Sequence, residues 1–564
     1  MKAKENVCMN KTSLLACACC LAMSWTACSS RQADTATPHA SPIVACSTEA
    51  IVATDLGPVA GYIDDGIYIY KGIPYAQAER FMPPTDPEPW TEVRSCRAYG
   101  PVCPQAPRTE WANDIAAFCN HWNDGWASED CLRLNIWTRG IGNGHRRPVM
   151  VWLHGGGFST GSGQEWDSYD GRSLAGTDEV VVVTLNHRLN VLGFLDLSAL
   201  GDRYKYSGNL GMLDIVAALR WIQRNIERFG GDPGNVTVFG QSGGGGKVST
   251  LMSMPSAQGL FHKAITESGA HLDNMQAKYS RKIGITTLDL LGIAFENVDS
   301  IRTVPYDKLL AAGNRAIERV RKQAEAMGEA DIFLFGWSPT VDGDLLPKHP
   351  FRGAANECSR NVPLMTGSCL HEFALSNLLP HGRQSTSEEV RPMLERLFGK
   401  NTDKFIQTFA TAYPDYRPCD LLDVEPEFRA NSVEQARLQA ALGGAPVYNF
   451  LFCWESPILD GYHRASHCME IPFVFNNIHL ARELTGGGED AYRLADLMSR
   501  AWIAFAKTGD PNVEGLPRWE PFTAERCEVM MFDTVCRMSY GHDADWLKLV
   551  SALHYSKFHL LSGH

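Results

Sequence analysis

Asn235-Val236-Thr237-Val238-Phe239-Gly240-Gln241-Ser242-Gly243-Gly244 runs an apolar, β-branched segment straight into a serine flanked by glycines. The segment reads as a buried strand. Glycines at 240 and 244 fit G-x-S-x-G, in which the serine sits on a sharp turn from strand to helix and side chains beside it would collide. The helix that follows aims its first N–H groups back at the turn. Lys247 and Ser249 lie nearby, but no G-K-[ST] ending stands where a phosphate-binding loop needs it. Ser242 is therefore a candidate nucleophile.

Working outward, a strand at 148–153 ends in His154-Gly155-Gly156-Gly157-Phe158. Adjacent N–H groups without side chains can converge on one developing oxyanion, so Gly156 and Gly157, with the N–H of Gly243, are candidate oxyanion donors. A strand at 179–185 (EVVVVTL), a helical pattern over 213–228 stopped by Gly230-Gly231, and a later strand at 447–454 continue the alternation. Strands alternating with helices predict an α/β fold with a large, mostly parallel central sheet flanked by helices. The segments 280–335 and 385–440, rich in Ala, Glu, Arg and Leu, read as helical insertions covering that sheet. No repeat and no long linker divides the chain after residue 50, so 49–564 reads as a single domain.

The run Glu129-Asp130-Cys131-Leu132-Arg133-Leu134-Asn135-Ile136 resembles the second signature of the type-B carboxylesterase and cholinesterase family. Further matches run in order through Lys71-Gly72-Ile73-Pro74, Asn186-His187-Arg188, Glu267-Ser268-Gly269, Val341-Asp342-Gly343 and Gly509-Asp510-Pro511. The resemblance implies an α/β-hydrolase fold and a Ser-Glu-His triad. It places the nucleophile at Ser242, the acid at Glu372 and the base at His467; the order agrees with that fold. It makes His371 a loop residue and Glu470 structural. It also implies a disulfide between Cys103 and Cys131, with Cys119 a competitor inside the loop.

Four residues depart from the family pattern. Gln241 stands where Glu is usual, which keeps the shape without the negative charge and argues against a cationic substrate. Gly243 replaces the usual alanine. Phe373 and Cys468 follow the acid and the base, where the family has glycine. Cys369 and Cys468 sit on the loops bearing acid and base and read as two buried free thiols, with a bridge between them as the alternative. Trp111, Trp122 and Trp126 lie in the 103–131 loop and read as core or loop packing, with lining of the entrance as the alternative; Trp337 is placed facing the acyl pocket.

The chain has 564 residues and a formal charge of −12, with 44% hydrophobic and 21% charged residues. That balance excludes disorder and argues against nucleic acid as a partner. Lys2, Lys4 and Lys11 precede an uncharged stretch at 12–27, read as a signal peptide over 1–28. Cys28 after small residues resembles a lipidated cysteine. Leu14-Leu15-Ala16-Cys17 is a second such box, and plain cleavage near Ala27 with free secretion is the alternative. Residues 29–48 read as a flexible tether. Export then implies an oxidising compartment in which disulfides form. The expected activity is hydrolysis of neutral or aromatic carboxylic esters, with a small-molecule substrate, no metal or cofactor, and membrane contact only through the lipid anchor. Amidase or carbamate chemistry on the same site, and a non-catalytic binding or adhesion protein, remain open.

Overall fold

The computed structural model describes residues 43–106, 114–329 and 336–553. Cys28, the signal segment and Trp111 lie outside them. Ile43–His564 clusters as one unit, built on a twelve-stranded sheet. In chain order its strands are β1 (Ile43–Val44), β2 (Tyr62–Asp64), β3 (Ile67–Pro74), β4 (Arg133–Thr138), β5 (Arg147–Leu153), β6 (Val181–Leu185), β7 (Gly231–Gln241), β8 (Lys263–Glu267), β9 (Leu364–Cys369), β10 (Val447–Phe452), β11 (Glu528–Phe532) and β12 (Arg537–Tyr540). Across the sheet β6 and β5 exchange places and the rest follow chain order. The strands from β6 through β5 to β11 are parallel, and antiparallel strands finish both edges.

Why the central strands are apolar throughout follows from what covers them. Side chains alternate between the two faces of a sheet. On β5, Val149, Val151 and Leu153 join one core, whereas Met150 and Trp152 join the other. Val181 and Val183 of β6 face the first core and Val182 the second. With helices on both faces there is no wet side, so polar alternation is lost. The first face is covered in part by α1 (Leu210–Asn225), which buries Met212, Ile215, Val216, Leu219 and Ile222. It starts earlier than the periodicity predicts, and its tail at Ile226–Phe229 tightens into a 3-10 turn before Gly230 in a left-handed conformation.

The helix after the serine is α2 (Gly243–Leu251). The insertions supply α3 (Ala277–Leu291), α4 (Tyr306–Glu325), α5 (Ser387–Phe398), α6 (Thr402–Ala412) and α7 (Pro426–Ala440). Leu394, Phe405 and Phe409 of α5 and α6 pack with Trp546 and Val550 in a small core of their own. On the second face α8 (Glu489–Thr508) buries Leu494, Met498 and Trp502. Trp337 is not at the pocket beside Ser242: it is buried against Gly313 of α4 and donates to Asn314 Oδ1 at 2.9 Å. No helix among the described residues is long and apolar enough to cross a membrane.

Candidate active site

The site lies beyond the C-terminal ends of the parallel strands, where an open α/β sheet leaves its crevice. β7 ends at Gln241 and α2 begins at Gly243, so Ser242 alone makes the turn, at φ 56° and ψ −125°. A serine in that region is strained. It is held by its own N–H, which donates to Glu267 O of β8 at 2.8 Å, and by its C=O, which accepts from Gly246 N at 3.1 Å. A Cβ at Gly244 would lie 1.9 Å from Leu153 O. The glycine is what lets α2 start against β5.

Glu372 follows β9 and His467 follows β10. The two loops are joined by main chain: His467 N–H donates to Glu372 O at 2.8 Å, in a short parallel bridge of Glu372 with Ser466. Across it, Glu372 Oε2 bonds His467 Nδ1, and Glu372 Oε1 accepts from Cys369 N at 2.9 Å. Burial pushes the His467 imidazole down, but Glu372, backed by Glu470 and Glu425, holds it above its ordinary value. No hydrogen bond joins Ser242 Oγ to His467 among the described residues. Instead the Gln241 amide lies 3.3 Å from His467 Nε2, and its Oε1 accepts from Cys468 Sγ at 3.2 Å.

Each departure from the family pattern has a local partner. Cys468 keeps the left-handed conformation a glycine would take, at φ 72°. Phe373 lays its ring against His467 at 5.0 Å between centroids, with Phe428 of α7 at 5.3 Å. A Cβ at Gly243 would fall 2.2 Å from Gly157 O. Glycine therefore brings the N-terminus of α2 into contact with Gly157 of the His154–Phe158 loop, and a Cβ built at Gly155 would lie 3.5 Å from the Ser242 Cβ. Phe158, Ala270, His271, Phe428 and Asn431 line the pocket that opens there. Burial holds His271 down to about 4, so it is neutral at physiological pH.

The remaining expectations divide. His371 is buried, its Nε2 4.0 Å from Glu455 Oε1, and it accepts from Ala465 N at 3.3 Å. Glu470 lies behind the acid, accepting from Cys369 Sγ at 3.1 Å. Burial and the neighbouring Glu372 raise its carboxyl to about 7. The expected Cys103–Cys131 bridge is not formed, and neither is the alternative Cys369–Cys468 bridge: all four cysteines are free thiols. Cys103 and Cys131 do lie together, and their hydrogen bond with burial holds the Cys131 thiol well above its usual value. Cys103 Sγ also accepts from Leu189 N at 3.2 Å. Cys119 belongs to the opposite core and does not compete. Cys369 and Cys468 donate to different side chains, Glu470 and Gln241. Trp122 stacks on Trp166 at 5.7 Å, as packing, while Trp126 is exposed. Sequence reasoning missed the part played by Lys247, whose buried Nζ donates to His154 O at 2.7 Å; a lysine in an otherwise apolar helix start was the one available signal.

A doubly covered parallel sheet with a serine turn at the end of its central strand defines an α/β-hydrolase. The model of the carboxylesterase family matches residues 48–544. The para-nitrobenzyl esterase of Bacillus subtilis is 36% identical over 502 residues, covering 86% of this chain and 95% of that one. The phenmedipham hydrolase of Pseudarthrobacter oxydans is 30% identical over 500 residues, with 86% and 95% covered. Among solved structures, an esterase from Clostridium hathewayi reported to hydrolyse aliphatic aromatic polyesters superposes with a TM-score of 0.79 at 38% identity, over 90% of this chain and 99% of its own. The chain belongs to the carboxylesterase family, type B, and is a carboxylic ester hydrolase.

Proposed function

We propose that this enzyme cleaves neutral and aromatic carboxylic esters through a Ser242–His467–Glu372 triad and an acyl-enzyme. The observation that supports the reading is the Glu372–His467 pair, joined by side chain and main chain, with the His467 ring 3.3 Å from the amide of Gln241 next to a strained Ser242 whose turn abuts the His154–Phe158 loop. In the reaction His467 Nε2 takes the Ser242 proton as Oγ attacks the ester carbonyl. Glu372 fixes the tautomer through Nδ1 and stabilises the imidazolium. The N–H groups of Gly156, Gly157 and Gly243 hold the oxyanion, each worth about 2.7–4 kcal/mol of transition-state stabilisation. Collapse expels the alcohol, protonated by His467, and water activated by the same base then releases the acid. Nothing in these steps calls on a metal or cofactor.

Substrate class rests on the pocket. Phe158, Phe428 and Ala270 offer apolar and aromatic walls, and Gln241 puts a neutral amide where a carboxylate would attract a cation. The para-nitrobenzyl and aliphatic-aromatic ester activities of the relatives fit the same walls. We also propose that residues 1–28 direct export, that Cys28 carries the lipid, that 29–48 tether one catalytic domain over 49–564, and that the touching Cys103 and Cys131 thiols pair once oxidised. Non-reducing peptide mapping of exported enzyme then yields a Cys103–Cys131 cross-linked peptide; two alkylatable thiols would refute the pairing. The functional test is a panel of p-nitrophenyl esters of increasing acyl length plus a choline thioester. Activity on the neutral esters that vanishes in Ser242→Ala is the expected result. Choline-ester turnover equal to theirs would contradict the substrate reading.

A further inference from the structure

Lys247 lies in α2, five residues beyond Ser242, with its side chain fully buried. Its ammonium donates to His154 O at 2.7 Å and approaches Gly155 O at 3.5 Å, and it stands 5.7 Å from the centre of the Phe158 ring. All three contacts fall on the His154–Phe158 loop. Gly155 O is also 3.0 Å from His154 Nδ1. The His154 ring in turn stacks at 5.1 Å on His187, an imidazole that burial and Lys247 hold neutral.

Two consequences follow from peptide geometry. The carbonyl of Gly155 and the N–H of Gly156 belong to one planar peptide, as do the carbonyl of His154 and the N–H of Gly155. A donor on the carbonyl polarises the N–H at the other end, and hydrogen bonds in series strengthen one another in a low-dielectric site. Moreover, Gly156 and Gly157 both occupy the left-handed region, at φ 77° and 61°. Consecutive glycines lose much conformational freedom when fixed, so the loop needs an anchor. Burying an ammonium is costly unless it is well bonded; here its bonds go to the peptides that lead into the oxyanion donors.

We propose that Lys247 is a positioning residue of the oxyanion site: it pins the His154–Phe158 loop and polarises the Gly156 N–H toward the developing oxyanion. The proposal rests on reading Gly156 and Gly157 as oxyanion donors. Its test uses Lys247→Met, which keeps length without donor or charge, and Lys247→Gln, which keeps a donor without charge. Each is measured on p-nitrophenyl butyrate and with a trifluoromethyl ketone, to which Ser242 adds to leave an oxyanion. For Lys247→Met, kcat and ketone affinity are expected to fall together by about tenfold, less than the ~10²–10³ lost with a whole donor, while KM moves less than about threefold. Lys247→Gln is expected to fall between. A folded variant whose ketone affinity stays within about twofold of wild type overturns the proposal, as does loss of the fold in both, which would make Lys247 a stability residue. Tight ketone binding by wild type, absent in Ser242→Ala, reports the triad independently. If wild type fails that control, the triad reading fails whatever Lys247 does.

Discussion

Gln241 shows how one atom type alters the chemistry beside the serine turn. Its amide is 3.3 Å from His467 Nε2 and 3.4 Å from Nδ1, and Cys468 holds its carbonyl end. An amide donor favours the neutral ring, whereas the carboxyls facing His467 (Glu372, Glu470 and Glu425) favour the cation. Gln241→Glu adds an opposite charge within the range that raises a pKa by about 1–3 units. In the proposed mechanism His467 must be neutral to accept the Ser242 proton, so a higher pKa means that activity is lost at a higher pH. The acidic limb of the kcat/KM profile is expected to move up by about one unit, toward the low end of that range. An unmoved limb would show that the amide does not face the working imidazole. The sequence displayed the Gln, Phe373 and Cys468 as departures, but not what they touch. Those partners come from loops after β9 and β10, and only the fold brings them together. Gly243 is similar: a missing Cβ is visible in the sequence, but the Gly157 carbonyl it would strike is not.

At the scale of elements, the strands were the most legible because their apolar runs record burial on both faces. The 180–183 valines and the 148–153 run became β6 and β5 nearly as read. Boundaries that depend on hydrogen bonding, such as the early start of α1, were not legible, and neither was the placement of Trp337, which depends on how α4 docks. The Asn186-His187-Arg188 motif gains its meaning here. Arg188, just after β6, makes a bidentate pair with Asp214 of α1 at 2.9 and 2.7 Å, and reaches Met82 O at 2.8 Å. Both side chains are almost wholly buried. The pair ties helix, sheet and the segment after β3 together. Asp214→Ala strands a buried guanidinium and is expected to reduce stability by about 3–5 kcal/mol in denaturant unfolding. A loss below about 1 kcal/mol, the value of an exposed pair, would show that the site rehydrates freely.

Across the whole molecule, carboxyls accumulate behind the site. Glu267 accepts from Trp502 Nε1 at 2.8 Å; burial, then Glu470, holds its carboxyl well above the usual range. Glu470 is raised to about 7 by burial and Glu372. A carboxyl raised in the folded state stabilises the fold fully below its unfolded value and loses that contribution as pH rises through the folded one. Glu470's contribution is therefore expected to fall by about 2–3 kcal/mol between about pH 4.5 and 7, while His271, held down to about 4, contributes in the opposite sense over part of that window. Glu470→Gln should remove that fall, shifting the stability difference between pH 5 and pH 8 by about 2–3 kcal/mol in favour of pH 8 in unfolding measurements; an unchanged difference would remove Glu470 as its source. The carboxyls stand in the sequence near their motifs, but their mutual proximity is a property of the assembled sheet. The most direct measurement for the molecule is to label the enzyme with a p-nitrophenyl phosphonate ester, count the p-nitrophenol released, and locate the adduct by mass spectrometry. One equivalent released, the adduct on Ser242 and total loss of esterase activity are expected. An adduct elsewhere, or activity that survives stoichiometric modification of Ser242, would contradict the triad.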